Sequence, residues 1–227
     1  MTRFIATVLV VGAAMSTARS RADNDKAGSG DNVPPPGFTA LFNGKDLTGW
    51  QGLVELPKRL KMNPAQRQAA QKVANAKYLP HWTVRNGILH YDGRGQSLQT
   101  ARDYRNFELW VDWKIGKKGD SGIYLRGCPQ VQIWDNPVGS GGLYNNKKHP
   151  SNPTKVADKP VQWNTFHIIM QGDNVTVFLN GERVVDNVVL ENYWDRSKPV
   201  PETGPIELQH HGDELWFKNI YVKELPD

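Results

Sequence analysis

The 227-residue sequence contains one cysteine, Cys128, and this shortage excludes an intramolecular disulfide framework. Stability must therefore come from a hydrophobic core, for which a chain of this length is sufficient. No histidine lies near Cys128 in the sequence, and its position in a Gly-Cys-Pro turn suits a small structural residue. A catalytic thiol is therefore not expected.

The sequence also lacks a hydrophobic run of the about 20 residues that span a membrane. A shorter apolar run over residues 4–14 follows the basic Arg3 and ends in small residues, which is typical of an export signal. We predict a cleaved signal peptide over residues 1–18, a flexible linker over residues 19–36 and one domain over residues 37–227. The mature protein is expected to be periplasmic or secreted without a membrane span; an uncleaved N-terminal anchor is the alternative.

Concentrated basic charge is absent as well. The formal net charge is +5, but the basic residues are spread along the chain. They form neither a basic stripe nor a recognisable nucleic-acid-binding module, so a nucleic-acid partner is not expected.

Tryptophan and short alternating strands, in contrast, are abundant. The sequence contains eight Trp, and residues 107–114 and 174–179 alternate apolar and polar side chains. Asn-Gly turns at residues 43–44, 86–87 and 180–181 separate such stretches. Many short strands of this kind predict an all-β sandwich or jelly roll. The exception lies at about residues 56–77, where Asn63 and Pro64 predict the start of an inserted surface helix.

The stretch from Asp120 to Asp135 predicts a polar sheet face. It consists of two strands joined by the Gly-Cys-Pro turn, and the side chains of a strand alternate between its faces. The core-facing set is Ile123, Leu125, Val131 and Ile133. The opposite face carries Tyr124, Arg126, Gln130, Gln132 and Trp134. Amides, a guanidinium and flat rings on one surface favour a carbohydrate ligand.

The order of motifs over residues 38–225 resembles the bacterial 3-keto-disaccharide hydrolase domain family. The matching segments are FNGKDLTGW at residues 42–50, FEL at 107–109, SGIYLR at 121–126, QVQIWD at 130–135, WN at 163–164, LNG at 179–181, LQHHG at 208–212 and KNI at 218–220. The resemblance implies a concanavalin-A-like jelly roll of two antiparallel sheets and an enzyme acting on 3-keto-glycosides. Two departures are visible: the family often has an acid where Gln130 stands and an aspartate where His210 stands.

Cleavage of a 3-keto-glycoside can begin at the acidic C2 proton and needs a base, an acid for the departing oxygen and donors for the enolate. We predict His211, Asp135 and Glu108 as the catalytic residues. His211 is the candidate acid/base because an imidazole changes charge near neutral pH. Asp135 could instead bind a metal or cap a turn.

The predicted substrate-binding residues are amides, aromatic rings and charged groups on the same strands and the neighbouring loops. They are Arg126, Gln130, Gln132, Trp134, Tyr144, Trp163, Glu207 and Gln209. Arg126 could anchor hydroxyls, or form a structural salt bridge to Glu108 or Asp112. Glu108 and Glu207 could meet across strands.

The predicted partners are an oxidised glycoside as substrate and a sugar oxidoreductase that supplies the ketone. No obligatory metal is predicted, but Ca²⁺ or another divalent ion stays an alternative. Its candidate ligands are Glu108, Asp120, Asp135, Glu207 and His211. The alternative function is a non-catalytic, lectin-like carbohydrate-binding module, and a structural envelope protein is a third.

Overall fold

The computed structural model describes residues 30–227, and it confirms the expected sandwich of two antiparallel sheets. The strands are β1 (Thr39–Ala40), β2 (Trp50–Gly52), β3 (Trp82–Arg85), β4 (Ile88–Asp92), β5 (Leu98–Thr100), β6 (Phe107–Ile115), β7 (Asp120–Leu125), β8 (Cys128–Trp134), β9 (Asn164–Gln171), β10 (Asn174–Leu179), β11 (Glu182–Val189), β12 (Glu207–Leu208) and β13 (Glu214–Glu224). One sheet has eight strands in the order β11-β10-β9-β6-β13-β4-β3, with β1 beside β13. The other has five strands in the order β2-β5-β12-β7-β8.

The hydrophobic core lies between the two sheets, as the alternating patterns predict. From the eight-stranded sheet, β6 contributes Leu109, Val111 and Trp113, all nearly inaccessible to solvent. From the five-stranded sheet, β7 and β8 contribute the four predicted core residues. These are Ile123, Leu125, Val131 and Ile133, and all are buried. The polar residues between them therefore face away from the core.

The inserted helical segment covers an edge of the five-stranded sheet. It consists of α1 (Leu56–Arg59), α2 (Pro64–Tyr78) and a short 3₁₀ turn (Leu79–His81). Asn63 caps α2 through a reciprocal capping box with Gln66. On the edge strand β2, the Gly52 amide donates to Asn75 Oδ1 (2.9 Å) and the Gly52 carbonyl accepts from Gln71 Nε2 (2.7 Å). These bonds satisfy edge groups that the sheet leaves unpaired.

Contacts with the domain begin at residue 31, before the predicted boundary at residue 37. Asp31 forms an ion pair with Lys218 (2.8 Å), and Asn32 exchanges two hydrogen bonds with Asn219. Asp31 and Asn32, which were assigned to the flexible linker, are therefore bonded to β13. The predicted signal peptide and residues 19–29 lie outside the described residues. Within residues 30–227, no helix has the length and apolar character needed to cross a membrane.

Candidate functional site

A groove of about 570 Å³ crosses the outer face of the five-stranded sheet. Its floor is formed by β7 and β8, and loops on both sides form its walls. The lining residues are Glu55, Asp120, Tyr124, Pro129, Gln130, Gln132, Tyr144, Asn145, Tyr193, Trp194, Gln209 and His211. The face that the sequence predicted to be polar therefore forms the floor of this groove.

Hydrogen bonds between side chains order the floor of the groove. Gln130 Nε2 donates to Gln132 Oε1, and Gln132 Nε2 donates to Asp120 Oδ1 at 2.7 Å. On the adjacent part of the floor, Gln209 Nε2 donates to the Tyr124 hydroxyl at 3.2 Å. Each of these side chains is thus held in one orientation before any ligand binds, which lowers the entropy lost on binding.

One hydrogen-bond donor on the floor is left for a ligand. The Tyr124 hydroxyl accepts a bond from Gln209 and keeps its own proton to donate. Burial raises the pKa of Tyr124, so this phenol stays protonated at neutral pH. Among the described residues, Gln209 Oε1 has no hydrogen-bond partner, but this oxygen is buried. The floor can therefore donate to a polar ligand through Tyr124.

Three side chains that can exchange protons line the groove. They are Glu55, Asp120 and His211. His211 is exposed to solvent, as an acid/base group that contacts substrate must be. Asp120 begins β7, and its backbone amide donates to Asp213 Oδ2 at 3.0 Å. A carboxylate and an imidazole in one groove are a suitable pair for general acid/base chemistry.

Glu207 is buried beside the floor and does not line the groove. It is 4% exposed and pairs with Tyr124 on one neighbouring strand and Gln99 on the other. Burial raises the pKa of Glu207 to about 8; a hydrogen bond from Ser97 opposes the rise and the nearby Glu55 adds to it. Glu207 is therefore mostly protonated at neutral pH. The sequence placed it in contact with substrate, but the structure places it out of reach.

His210 does not line the groove. Its Nδ1 lies 3.0 Å from the Ser97 hydroxyl, and its backbone amide donates to the same oxygen at 3.1 Å. Burial lowers the pKa of His210. The histidine that stands where the family often has an aspartate thus bonds to the buried Ser97.

Exposed aromatic rings form one end of the groove. Tyr193 and Trp194 are 44% and 38% exposed, and their rings are in edge-to-face contact with centroids 5.0 Å apart. Trp194 Nε1 donates to the Gly127 carbonyl at 2.9 Å, which places this ring beside the turn between β7 and β8. Tyr144, 52% exposed, lines the same groove. Large rings that stay exposed in this way are typical of ligand-binding surfaces.

Two predicted site residues lie on the other sheet. Glu108 is in β6 of the eight-stranded sheet, where it pairs with Lys223 (3.0 Å) and contacts His167 (3.3 Å). Trp163 lies beside the same sheet, near the ammonium groups of Lys114 and Lys218. The expectation that Glu108 and Glu207 meet across strands is wrong, because β6 and β12 belong to different sheets. Neither Glu108 nor Trp163 lines the groove.

Arg126 also lies outside the groove, contrary to its predicted place on the Tyr124 face. Strand β7 ends at Leu125, and the backbone of Arg126 has a left-handed conformation with φ of 52°. The side chain, 2% exposed, donates to the carbonyls of Arg105 (2.6 Å) and Gly172 (2.7 Å). Its carboxylate neighbour is Asp173 at 3.6 Å, and neither Glu108 nor Asp112 pairs with it.

Asp135 and Trp134 lie at the end of β8, next to a separate cavity. Asp135 Oδ2 accepts the Lys118 amide at 2.8 Å, which is the turn-capping role considered from the sequence. Trp134 Nε1 donates to the Gly139 carbonyl, and its ring is in edge-to-face contact with Tyr144, with centroids 5.2 Å apart. Trp134 thus supports a groove residue without lining the groove.

Several groove residues were not predicted as site residues. Asp120 was considered only as a metal ligand, although it begins the strand of the polar face. Tyr193 and Trp194 lie in a long loop before two prolines, and an aromatic pair in such a loop was the available signal. Nothing in the local sequence points to Glu55, which reaches the groove through the helical insertion.

The described residues do not gather a ligand set for a metal ion. Within residues 30–227, no group of three or more His, Cys, Asp or Glu side chains is arranged to hold one. The five ligands considered from the sequence are divided between the two sheets and the β8 turn.

These features define a class of protein: a jelly roll of two sheets with a groove on its smaller sheet. Polar side chains form the floor of this groove, and aromatic rings form one end of it. The chain belongs to the 3-keto-alpha-glucoside-1,2-lyase-like domain family, whose model matches residues 37–223. The family suggested by the sequence motifs is thereby confirmed.

Individual relatives agree with this membership. A 3-keto-disaccharide hydrolase from Bacteroides thetaiotaomicron is 24% identical over 252 residues, which cover 85% of this chain and 80% of the relative. A crystal structure of a proposed glycosyl hydrolase from Parabacteroides distasonis is 26% identical, covers 85% of each chain and has a TM-score of 0.64. A second structure from that organism is 24% identical, with a TM-score of 0.64 over 87% of this chain and all of the other.

Proposed function

We propose that the protein is an exported carbohydrate-active enzyme that cleaves 3-keto-glycosides in the groove of its five-stranded sheet. The observation that carries this proposal is the convergence, in one groove, of two carboxylates, one imidazole, a protonated phenol and a row of amides. Family membership and the printed name of the Bacteroides relative support the choice of substrate class. Export rests on the apolar run at residues 4–14.

The reaction follows from the acidity of a carbon next to a ketone. A base removes the C2 proton, and the electron pair forms an enolate with the C3 oxygen. The enolate expels the C1 substituent, whose oxygen takes a proton from an acid, and leaves an enone with a C1–C2 double bond. Water then adds its oxygen to C1 and a proton to C2. The net change is hydrolysis of the glycosidic bond.

The groove supplies the groups that these steps require. His211 and Asp120 are the acid/base pair, because both line the groove and both can exchange a proton with a bound ligand. The Tyr124 hydroxyl donates to the enolate oxygen, since its own acceptor site is occupied by Gln209. Gln130 and Gln132, only 4% and 1% exposed, hold the Asp120 carboxylate in place through their hydrogen bonds. A predicted oxidoreductase that makes the 3-ketone would act before this enzyme.

Deuterium labelling tests the proposed chemistry. The purified domain is incubated in D₂O with 3-keto-trehalose, and the released 3-keto-glucose is followed by NMR. We expect early product to carry deuterium at C2 and hydrogen at C4. Position C4 is the internal control, because it is also next to the ketone and exchanges without enzyme at a similar rate. Product with hydrogen at both positions would contradict elimination and indicate direct displacement.

The second candidate function is a non-catalytic carbohydrate-binding module. It is favoured by Gln130 and His210, which stand where the family often has acids, because loss of an acid removes a proton donor or acceptor. The same experiment separates the two functions. Saturable binding of 3-keto-trehalose without product would support the binding module.

A further inference from the structure

The groove has chemically different ends. Asp120 begins β7 at one end, and Trp194 bonds to Gly127 in the turn that follows the other end of β7. With a rise of about 3.3 Å per residue, the five steps from Asp120 to Leu125 span roughly 16 Å. A sugar ring that reacts at Asp120 therefore leaves room for further substrate toward Tyr193 and Trp194.

Two loops carry the exposed aromatic side chains of the groove, and β8 bonds to the first of them through the Gln132 backbone and the Val131–Leu143 bridge. One loop, between β8 and β9, carries Tyr144 and Asn145; the other, after β11, carries Tyr193 and Trp194. Rings on loops can form a defined binding surface only if the loops are fixed relative to each other. The contact that joins the two loops therefore fixes the rings of one loop relative to those of the other.

We propose that Glu191 is a positioning residue that joins these two loops and thereby sets the affinity for the second sugar of the substrate. This inference rests on the proposed function. Glu191 lies two residues before Tyr193 and is 9% exposed. It contacts no ligand-facing surface of the groove, so its effect must pass through the aromatic residues.

The carboxylate of Glu191 accepts hydrogen bonds from three consecutive backbone amides of the other loop. The Lys147 amide donates to Oε2 (2.9 Å), and the Lys148 (2.6 Å) and His149 (3.0 Å) amides donate to Oε1. Such charge-assisted bonds to backbone amides are stronger than neutral ones. Burial alone would raise the pKa of Glu191, but these bonds hold it at about 2, so the carboxylate stays charged at neutral pH.

Two further contacts extend the connection to the groove residues themselves. Arg196 donates to Glu191 Oε2 at 3.0 Å and to the Asn145 carbonyl at 2.7 Å. Its guanidinium also lies 5.3 Å from the centre of the Tyr193 ring. In addition, the Glu191 amide donates to Asn146 Oδ1 at 3.0 Å. Arg196 therefore connects Glu191 to two residues that line the groove, Asn145 and Tyr193.

The test compares kinetics on two substrates, 3-keto-trehalose and methyl 3-keto-α-glucoside, which lacks the second sugar. For Glu191→Gln we expect KM for 3-keto-trehalose to rise about 10-fold, with kcat within about twofold of wild type. KM for the methyl glycoside should change little. A merely structural defect would instead lower the active fraction, and hence kcat, equally for both substrates.

Two additional variants control the interpretation. Glu182→Gln removes an exposed ion pair with Lys155 in the β8–β9 loop, and it should leave both KM values unchanged. If Glu191→Gln does not fold, Arg196→Ala removes the partly exposed half of the connection and should show the same selective rise in KM. Equal effects on both substrates, or none, would overturn the proposal.

The outcome also distinguishes this inference from the proposed function. If wild-type protein binds 3-keto-trehalose without turnover, hydrolysis is refuted, and the dissociation constant replaces KM in the comparison. A selective loss of affinity in Glu191→Gln would then still support the positioning role. If the wild-type protein neither binds nor cleaves either substrate, both claims fail.

Discussion

Glu207 leads to a quantitative prediction about stability. Its carboxyl group is buried beside the groove floor, with a folded-state pKa of about 8 against an ordinary value of 4.5. Between these pH values, the unfolded chain carries an ionised Glu207 while the folded protein keeps it protonated. The contribution of Glu207 to the free energy of unfolding therefore falls as pH rises from about 4.5 to about 8.

The magnitude follows from the difference between the two pKa values. At 1.36 kcal/mol per pH unit, the whole difference corresponds to about 5 kcal/mol, and the interval from pH 5 to pH 7 accounts for about 2–3 kcal/mol. Glu207→Gln replaces the acid by a neutral group of similar shape that can keep the bond from Ser97. The variant should be free of this pH-dependent loss.

Urea unfolding at pH 5, 7 and 9 measures the effect. Relative to wild type, Glu207→Gln should gain about 2–3 kcal/mol between pH 5 and pH 7, and more by pH 9. Glu182→Gln is the matched control, because its carboxylate is more than half exposed and should leave the pH profile parallel to wild type. A Glu207→Gln profile parallel to that of wild type would refute a buried, protonated Glu207.

Three further predictions concern packing and reactivity. Leu109→Ala should lower the unfolding free energy by about 2–5 kcal/mol in urea titrations, because Leu109 is fully buried between the sheets; a loss below about 1 kcal/mol would contradict that placement. Gly52→Ala should cost about 1–3 kcal/mol and lower Tm, since its Cβ would lie 2.6 Å from the Ala74 carbonyl oxygen; an unchanged Tm would show that α2 does not pack on β2. Cys128 should resist a thiol reagent in the native protein and react fully in denaturant, because burial raises its pKa to about 12.

Period-two patterns made much of the sandwich predictable. The alternation along residues 120–134 correctly assigned Ile123 and Val131 to the core, because burial of one sheet face forces that pattern. The start of α2 was equally readable, since Asn63 and Pro64 have local capping and backbone preferences. Structural features that depend only on residues close together in the sequence, such as strand alternation and helix capping, can therefore be predicted from it.

The composition of the groove was less predictable because it depends on which strands become neighbours. Glu108 and Asp120 are both strand carboxylates, but β6 and β7 belong to different sheets. Alternation assigns a side chain to one face of its own strand. It does not show which sheet the strand joins, and so it does not show which surface of the molecule carries the side chain. Arg126 shows a second limit, since the end of β7 redirects a side chain that a longer strand would have placed beside Tyr124.

The central claim is that catalysis takes place on the five-stranded sheet. The most direct measurement is kcat/KM for 3-keto-trehalose in Asp120→Asn, His211→Ala and Glu108→Gln. We expect the two groove variants to lose about 100-fold or more, as removal of a general acid or base does, while Glu108→Gln stays within about twofold of wild type. Loss of activity in Glu108→Gln, with Asp120→Asn and His211→Ala still active, would place the reaction on the opposite sheet and contradict this account.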